Sequence, residues 1–391
     1  MIQTHQAGTK RDIIVYANPG DYAAFPGLVC TDKGMYLEFF AQDLEKLRSV
    51  TAIHPHYSPI ARRVWLASTD GGCTWRDADP ATDIGRVMTA TRGDYYAGIA
   101  LADGAFLKLE QRHIPGSTTV REPLTARRFD GQLSIMPNRA VEVADIGPFS
   151  GYNPFTMLRL TDGTLLAGGQ ARREGNIADV RGLYTAVFLK GTPDGLQWRY
   201  RSHVPNPNGF GFTENALVRA GDGRLICLLR VDFEPSDKDL PDDANGNGLA
   251  RDGYGYFLYQ SESANEGRTW SVPVRTPVWG HPPFLLRLTS GSILLVYGHR
   301  RPPWEIRAIL SRDEGRTWDM TTLRTVYSFN PGSYDMGYPV ATQLADGSIV
   351  CAFYGYSTPD IGEKMPHGIF VSLFDEAWLQ LWRRGNERNR Q

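Results

Sequence analysis

Cysteine is scarce: there are four in 391 residues, at Cys30, Cys73, Cys227 and Cys351. They are too few and too scattered for a disulfide scaffold, and no two have the spacing of zinc ligands; buried free thiols are expected. Long apolar runs are missing as well. Nowhere do eighteen consecutive apolar residues occur, which excludes a membrane-spanning helix. Nor does one sign of charge dominate. The 42 Lys and Arg stand against 43 Asp and Glu, so the basic footprint of a nucleic-acid binder is absent. The opening residues, MIQTHQAGTKRDIIVY, hold no apolar run ahead of a small-residue cleavage site. The expectation is a cytoplasmic protein, or a secreted one whose signal has been removed.

What the chain has in quantity is glycine (41), together with 17 Phe, 18 Tyr and 9 Trp. The glycines punctuate it. Tight turns at Asp32-Lys33-Gly34, Asp103-Gly104, Asp162-Gly163, Asp222-Gly223, Ser290-Gly291 and Asp346-Gly347 are each flanked by β-rich segments, such as LVRA before and RLICLLR after. Each reads as a β-hairpin. The gaps between successive turn glycines are 70, 59, 60, 68 and 56 residues, so six similar units fill the chain. A second pattern, S-x-D-x-G-x-T-W, occurs at Ser68 to Trp75 and Ser311 to Trp318. It recurs with Asn265 in place of Asp at Ser263 to Trp270, and in degenerate form at Thr192 to Trp198. Asp and Ser can satisfy the turn backbone while Gly takes the positive φ, so this is a hairpin between the third and fourth strands of a unit. The predicted fold is all-β: a six-bladed β-propeller of four-stranded antiparallel blades. One domain spans 1–391, Arg11 to Tyr16 closes the ring as an outer strand of the last blade, and 376–391 form a basic C-terminal tail.

In such a blade the first strand starts, and the second ends, at the same mouth of the central channel. Nine residues before each turn glycine stand Phe25, Tyr95, Pro154, Glu214, Pro282 and Tyr338; seven after stand Ala41, Gln111, Gln170, Arg230, Gly298 and Tyr354. Glu214, Arg230 and Tyr338 should therefore converge. Third strands begin at the same mouth, which adds Arg307 and His56, and Arg300, Arg301, Arg172 and Arg173 flank strands there.

The Asp-box turns on propeller spacing resemble the sialidase (neuraminidase) superfamily of BNR-repeat propellers, over essentially the whole chain. The resemblance implies that Tyr338 and Glu214 form a nucleophilic pair, the Glu drawing the phenolic proton, and that Arg230 and Arg307 clamp a substrate carboxylate. Two family features are missing: Ala24 stands where the first Arg of the family lies, and the acid Asp of the first blade has no counterpart. Histidines occupy that stretch, and His56 is the provisional acid/base; Asp43 is a badly placed substitute. A Tyr nucleophile is an exception to the two-carboxylate scheme of glycosidases.

The function expected from this is exo-acting hydrolysis of a terminal acidic sugar, sialic acid or a uronate, from an oligosaccharide. Arg300, Arg301, His281 and Trp304 are further substrate-binding candidates. One alternative is a polysaccharide lyase or rhamnosidase-type enzyme on rhamnose-glucuronate glycans, in which His56 or Tyr338 abstracts a proton. Another is a non-catalytic glycan-binding propeller. No cofactor, nucleic-acid or membrane partner is expected. Asp243, Asn245 and Asn247 match the first half of a calcium loop, but Tyr254 stands where the closing Glu belongs.

Overall fold

The computed structural model describes residues 6–31, 34–46, 61–78, 98–102, 106–110, 123–129, 139–143, 145–173, 184–233, 257–329, 334–356 and 367–380. The candidates His56, Asp243, Asn245 and Asn247 lie outside these residues. Among the described residues nearly all the regular structure is β, the exceptions being one helical turn at 44–46 and a short helix at 376–380. Asp43, exposed, accepts from the backbone N–H groups of Glu45 and Lys46 and so caps the first of these.

Among the described residues the strands make five hydrogen-bonded sheets. Three have four strands, two of them running from Gly211–Arg219 to Val274–Trp279 and from Pro283–Arg287 to Asp319–Ser328. The third begins at Gly98–Ala100. A five-stranded sheet begins with Phe149–Arg159 and ends at Gln197–His203, where the two-residue strand Glu142–Val143 joins in parallel. The fifth sheet has eight strands. The expectation of a six-bladed propeller of four-stranded antiparallel blades is therefore corrected: the described strands form fewer sheets than six, and only three of these have four strands. The cause is a long-range pairing invisible to local pattern. Tyr22, on Asp21–Thr31, pairs in parallel with His367, on His367–Phe374, and merges what would otherwise be two sheets. Arg11–Tyr16 runs antiparallel to that same last strand, from Arg11 opposite Leu373 to Tyr16 opposite Ile369.

The second strands explain why the sheets stand face to face. In Leu225–Phe233, Ile226 and Leu228 enter one core cluster while Leu225, Cys227 and Leu229 enter another. In Ile293–His299, Leu294 and Val296 face one neighbour while Ile293, Leu295 and Tyr297 face the other. Side chains alternate across a strand, so a continuous apolar run needs apolar cover on both faces. Even the eight-stranded sheet obeys this rule, since its two halves meet across a core holding Leu37, Phe39, Val350 and Ala352. The result is an all-β propeller arrangement. Of the thiols, Cys73, Cys227 and Cys351 are buried as expected, but Cys30 is exposed.

The S-x-D-x-G-x-T-W turns share one hydrogen-bond scheme. Ser311 Oγ donates to Asp313 Oδ1 at 2.8 Å and accepts from Gly315 N at 2.9 Å, while the Thr317 N–H and Oγ1 both donate to Asp313. Ser68, Asp70, Gly72 and Thr74 repeat it. The glycine is required twice over. Gly315 has φ +77°, and a Cβ there would meet Ile226 Cδ1 of the neighbouring sheet at 2.1 Å. Gly347 shares the positive φ, +87°, but has open space around it. Gly347→Ala should thus cost only the backbone term, about 1–2 kcal/mol, and Gly315→Ala clearly more, measured by urea denaturation. Equal losses would contradict the packing role given to Gly315.

Candidate active site

Glu214, Arg230 and Tyr338 come together although 124 residues separate the Glu from the Tyr. The Tyr338 hydroxyl donates to Glu214 Oε1 in a very short hydrogen bond. Arg230 Nη1 donates to Glu214 Oε2 at 2.5 Å and lies 3.3 Å from Tyr338 Oη, while its Nε donates to Asp232 Oδ1 at 2.6 Å.

Strand irregularities aim these groups. Between the pairs Phe212–Val231 and Asn215–Leu229 the first strand advances three residues and its partner two, so Glu214 sits in a bulge. The same step occurs around Tyr338, between Gly337–Tyr354 and Val340–Ala352, and around Phe25, between Ala24–Phe40 and Gly27–Glu38. A bulge of this kind re-aims a side chain at a sheet rim. Phe25 and Tyr338 also take φ values of 56° and 48°, a conformation that costs a bulky residue about 1–3 kcal/mol. The two rings meet edge to face, with centroids 4.6 Å apart. Phe25 is the neighbour of Ala24, which is fully buried in the same core.

The electrostatics follow from burial. The Tyr338 phenol is pushed well above its ordinary value by burial first and by the Glu214 charge second, so it is neutral at rest. Burial works against the Arg230 charge, but Asp232 and Glu214 outweigh it and raise its pKa. His281, buried behind them with Nε2 at 3.3 Å from Tyr334 Oη, is driven well below its usual pKa by burial and then by Arg230 and Arg300. It is therefore a neutral imidazole.

Arg300 is the second guanidinium here. Only 4% exposed, it lies 5.1 Å from the ring centroids of both Tyr334 and Tyr338, and among the described residues neither its Nε nor its Nη2 has a hydrogen-bond acceptor. A buried cation with unmet donors is costly in isolation, and suits an anion docking beside Tyr338.

The other candidates are placed less centrally. Arg307 Nε donates to Glu305 Oε2 at 2.6 Å. Arg301 lies over the Trp279 ring at 4.0 Å and reaches His299 Nε2, whose Nδ1 faces Pro303 O at 2.9 Å. Trp304 is half-buried and packs on the core beside Tyr327, and Arg172 is exposed. Three residues escaped the sequence reading. Asp232 follows Arg230 by two, a spacing that could have revealed it. Tyr334 and Asp335 lie just before the strand Gly337–Gln343 that carries Tyr338, and no turn count or repeat marks them. Among the described residues no group of three His, Cys, Asp or Glu could hold a metal ion.

No family model matches the chain, and no curated protein matches its sequence. Solved structures do. A protein of unknown function from Dyadobacter fermentans is 20% identical over 94% of this chain and 99% of its own, with a TM-score of 0.71. A Hadza microbial sialidase is 16% identical over 91% of this chain and 66% of its own, with a TM-score of 0.58. An alpha-L-arabinanase of Penicillium chrysogenum, solved with arabinobiose, is 14% identical over 95% and 99%, also with a TM-score of 0.58. At these identities the likeness establishes a shared fold.

The depressed pKa of His281 has a consequence for stability. An unfolded imidazole titrates near 6.5, so below about pH 6.5 the unfolded chain binds a proton that folded His281 refuses. Folding stability attached to this residue falls as the pH drops through that window, by at most about 1.4 kcal/mol per pH unit. His281→Gln should flatten the decline in urea midpoint between pH 7 and pH 5.5. An unchanged decline would show that His281 does not carry it.

Proposed function

We propose that the protein is an exo-acting, sialidase-like glycoside hydrolase of Asp-box type that removes a terminal acidic sugar, a sialic acid or a uronate, from an oligosaccharide. The observation that carries this reading is the three-way contact of Tyr338, Glu214 and Arg230. A phenol is a weak nucleophile while protonated, and a carboxylate bonded to its proton makes it a strong one. As Tyr338 Oη bonds to the anomeric carbon, its proton passes to Glu214 Oε1 and the glycosidic C–O bond breaks. The leaving oxygen takes a proton from a separate acid, for which His56 is the candidate. Water then cleaves the glycosyl–tyrosine bond, returning a proton to the acid/base, and Glu214 returns its own to the phenolate. Arg230 Nη1, 3.3 Å from Tyr338 Oη, is placed to stabilise the oxygen while it carries negative charge.

The acidic character of the sugar rests on Arg300. Its two unmet donors suit a carboxylate, and the guanidinium fork matches that group in a bidentate manner. Arg301 and Trp279, cation over ring, offer a flatter polar surface beside it. The glycan-cleaving enzymes among the structures of like fold are consistent with a carbohydrate substrate, while specificity belongs to the residues named here.

Two outcomes are expected with purified protein and a panel of sialylated and uronate-ended oligosaccharides. Products should sum to the substrate plus one water by mass spectrometry, and Tyr338→Phe should abolish turnover, a loss on the order of 10⁶-fold. Products summing to the substrate mass, one an unsaturated uronate, would make the protein a lyase instead. Arg300→Met should weaken binding of the acidic substrate by about 1.5–3 kcal/mol and leave a neutral analogue unaffected. Equal weakening of both would remove Arg300 from carboxylate recognition.

A further inference from the structure

His367 opens the strand His367–Phe374 and is 1% exposed. Its ring is bonded on both sides. Nδ1 lies 2.6 Å from the Ala23 carbonyl oxygen and Nε2 2.8 Å from the Asp335 carbonyl oxygen. Backbone carbonyls only accept, and a neutral imidazole has one N–H to give. Both bonds form together only when the ring carries two protons and a positive charge.

The surroundings suit a cation. The ring stacks on Tyr22 with centroids 4.2 Å apart and planes within 9°, and it meets Tyr356 edge to face at 4.8 Å and Tyr354 at 5.0 Å. Aromatic faces attract a cation at such distances. The Asp335 carboxylate supplies the countercharge, its Oδ2 3.9 Å from Nε2, and its two oxygens accept from the hydroxyls of Tyr22 and Tyr354 at 2.8 and 2.9 Å. Among the described residues, the titratable groups facing the imidazole are Tyr22, Tyr354, Tyr356 and Asp335. Burial raises the Tyr22 and Tyr354 phenols well above their ordinary value, and Asp335 adds to this. Both are neutral, which leaves Asp335 as the anion of the group.

The two carbonyls stand just before two of the site's three bulges, those at Phe25 and Tyr338. Ala23 is two residues before Phe25, and Asp335 three before Tyr338, the pair with positive φ whose rings touch. One ring therefore ties together the two strained backbones that aim Tyr338 at Glu214. We propose that His367 is a buried imidazolium that acts as a positioning residue for Tyr338, holding the Ala23 and Asp335 segments together through its two N–H groups. Loss of one proton breaks one of the two bonds and loosens the aim of the phenol. The catalytic half of this inference rests on the hydrolase reading above; the charge state does not.

The test uses the wild-type protein with its histidines labelled with ¹⁵N. Long-range ¹H–¹⁵N spectra at pH 8 should show an imidazole with both nitrogens protonated, and that signal should vanish in His367→Gln. If no ring of the wild type is doubly protonated at pH 8, or the signal survives the substitution, the proposal is overturned, whether or not any glycan is cleaved. Where activity is found, His367→Gln should lower kcat about 10²-fold with little change in KM. Wild-type kcat should fall as the pH rises through the titration seen for His367, and this limb should be missing from the variant. A KM effect alone, or an alkaline limb shared by both proteins, overturns the positioning role. A protein that binds the glycans without cleaving them removes the hydrolase reading and leaves the spectroscopic result to decide the charge.

Discussion

The second strands of the sheets carry apolar side chains on both faces, and the rest of the molecule answers to that constraint. A run such as Leu225 to Leu229 or Ile349 to Tyr354, buried throughout, cannot lie against solvent on either side. Each sheet must be covered by another before and behind. Sheets stacked in this way bring the beginnings of their first strands to one mouth, and Glu214, Tyr338 and Phe25 all stand there, on first strands of different units. The site is thus a consequence of the packing that stabilises the fold.

What the packing brings near, the bulges aim. An extra residue in each of three first strands turns Phe25, Glu214 and Tyr338 out of the regular alternation, and two of the three hold backbone angles that a bulky side chain rarely adopts. Such strain persists only where the surroundings over-determine it. Here they do, through the Phe25–Tyr338 ring contact, the Tyr338–Glu214 hydrogen bond and the hydroxyls that grip Asp335. Charge is distributed to match: Arg230 is neutralised by Glu214 and Asp232, whereas Arg300 keeps donors in reserve beside a neutral phenol.

Much of this was legible in the sequence because it depends on local, periodic features. Counting from the turn glycines was enough to predict that Glu214, Arg230 and Tyr338 converge, since strand length and hairpin geometry are regular. The same counting marked Phe25. It could not foresee the sheet count, because the Tyr22–His367 pairing joins residues 345 positions apart through one bridge that no local pattern announces. The resemblance put Arg307 ahead of Arg300 as a carboxylate clamp, whereas the three-dimensional course of the chain puts Arg300 over Tyr338 and turns Arg307 to Glu305. Trp304, one of the substrate-binding candidates, packs on the core, where its carbonyl accepts from the Phe329 N–H. His367 carries no sequence signal at all, since its role lies in two backbone carbonyls far away in the chain.

The central claim is that the Tyr338 oxygen, activated by Glu214, forms a bond to the sugar. A fluorinated acidic glycoside with a good leaving group, mixed with the protein and quenched, should leave a glycosyl adduct on the peptide containing Tyr338, located by mass spectrometry after proteolysis. The account predicts that adduct in the wild type, less of it in Glu214→Gln, and none in Tyr338→Phe. Turnover of the glycoside with no adduct, or with an adduct on another residue, would contradict it.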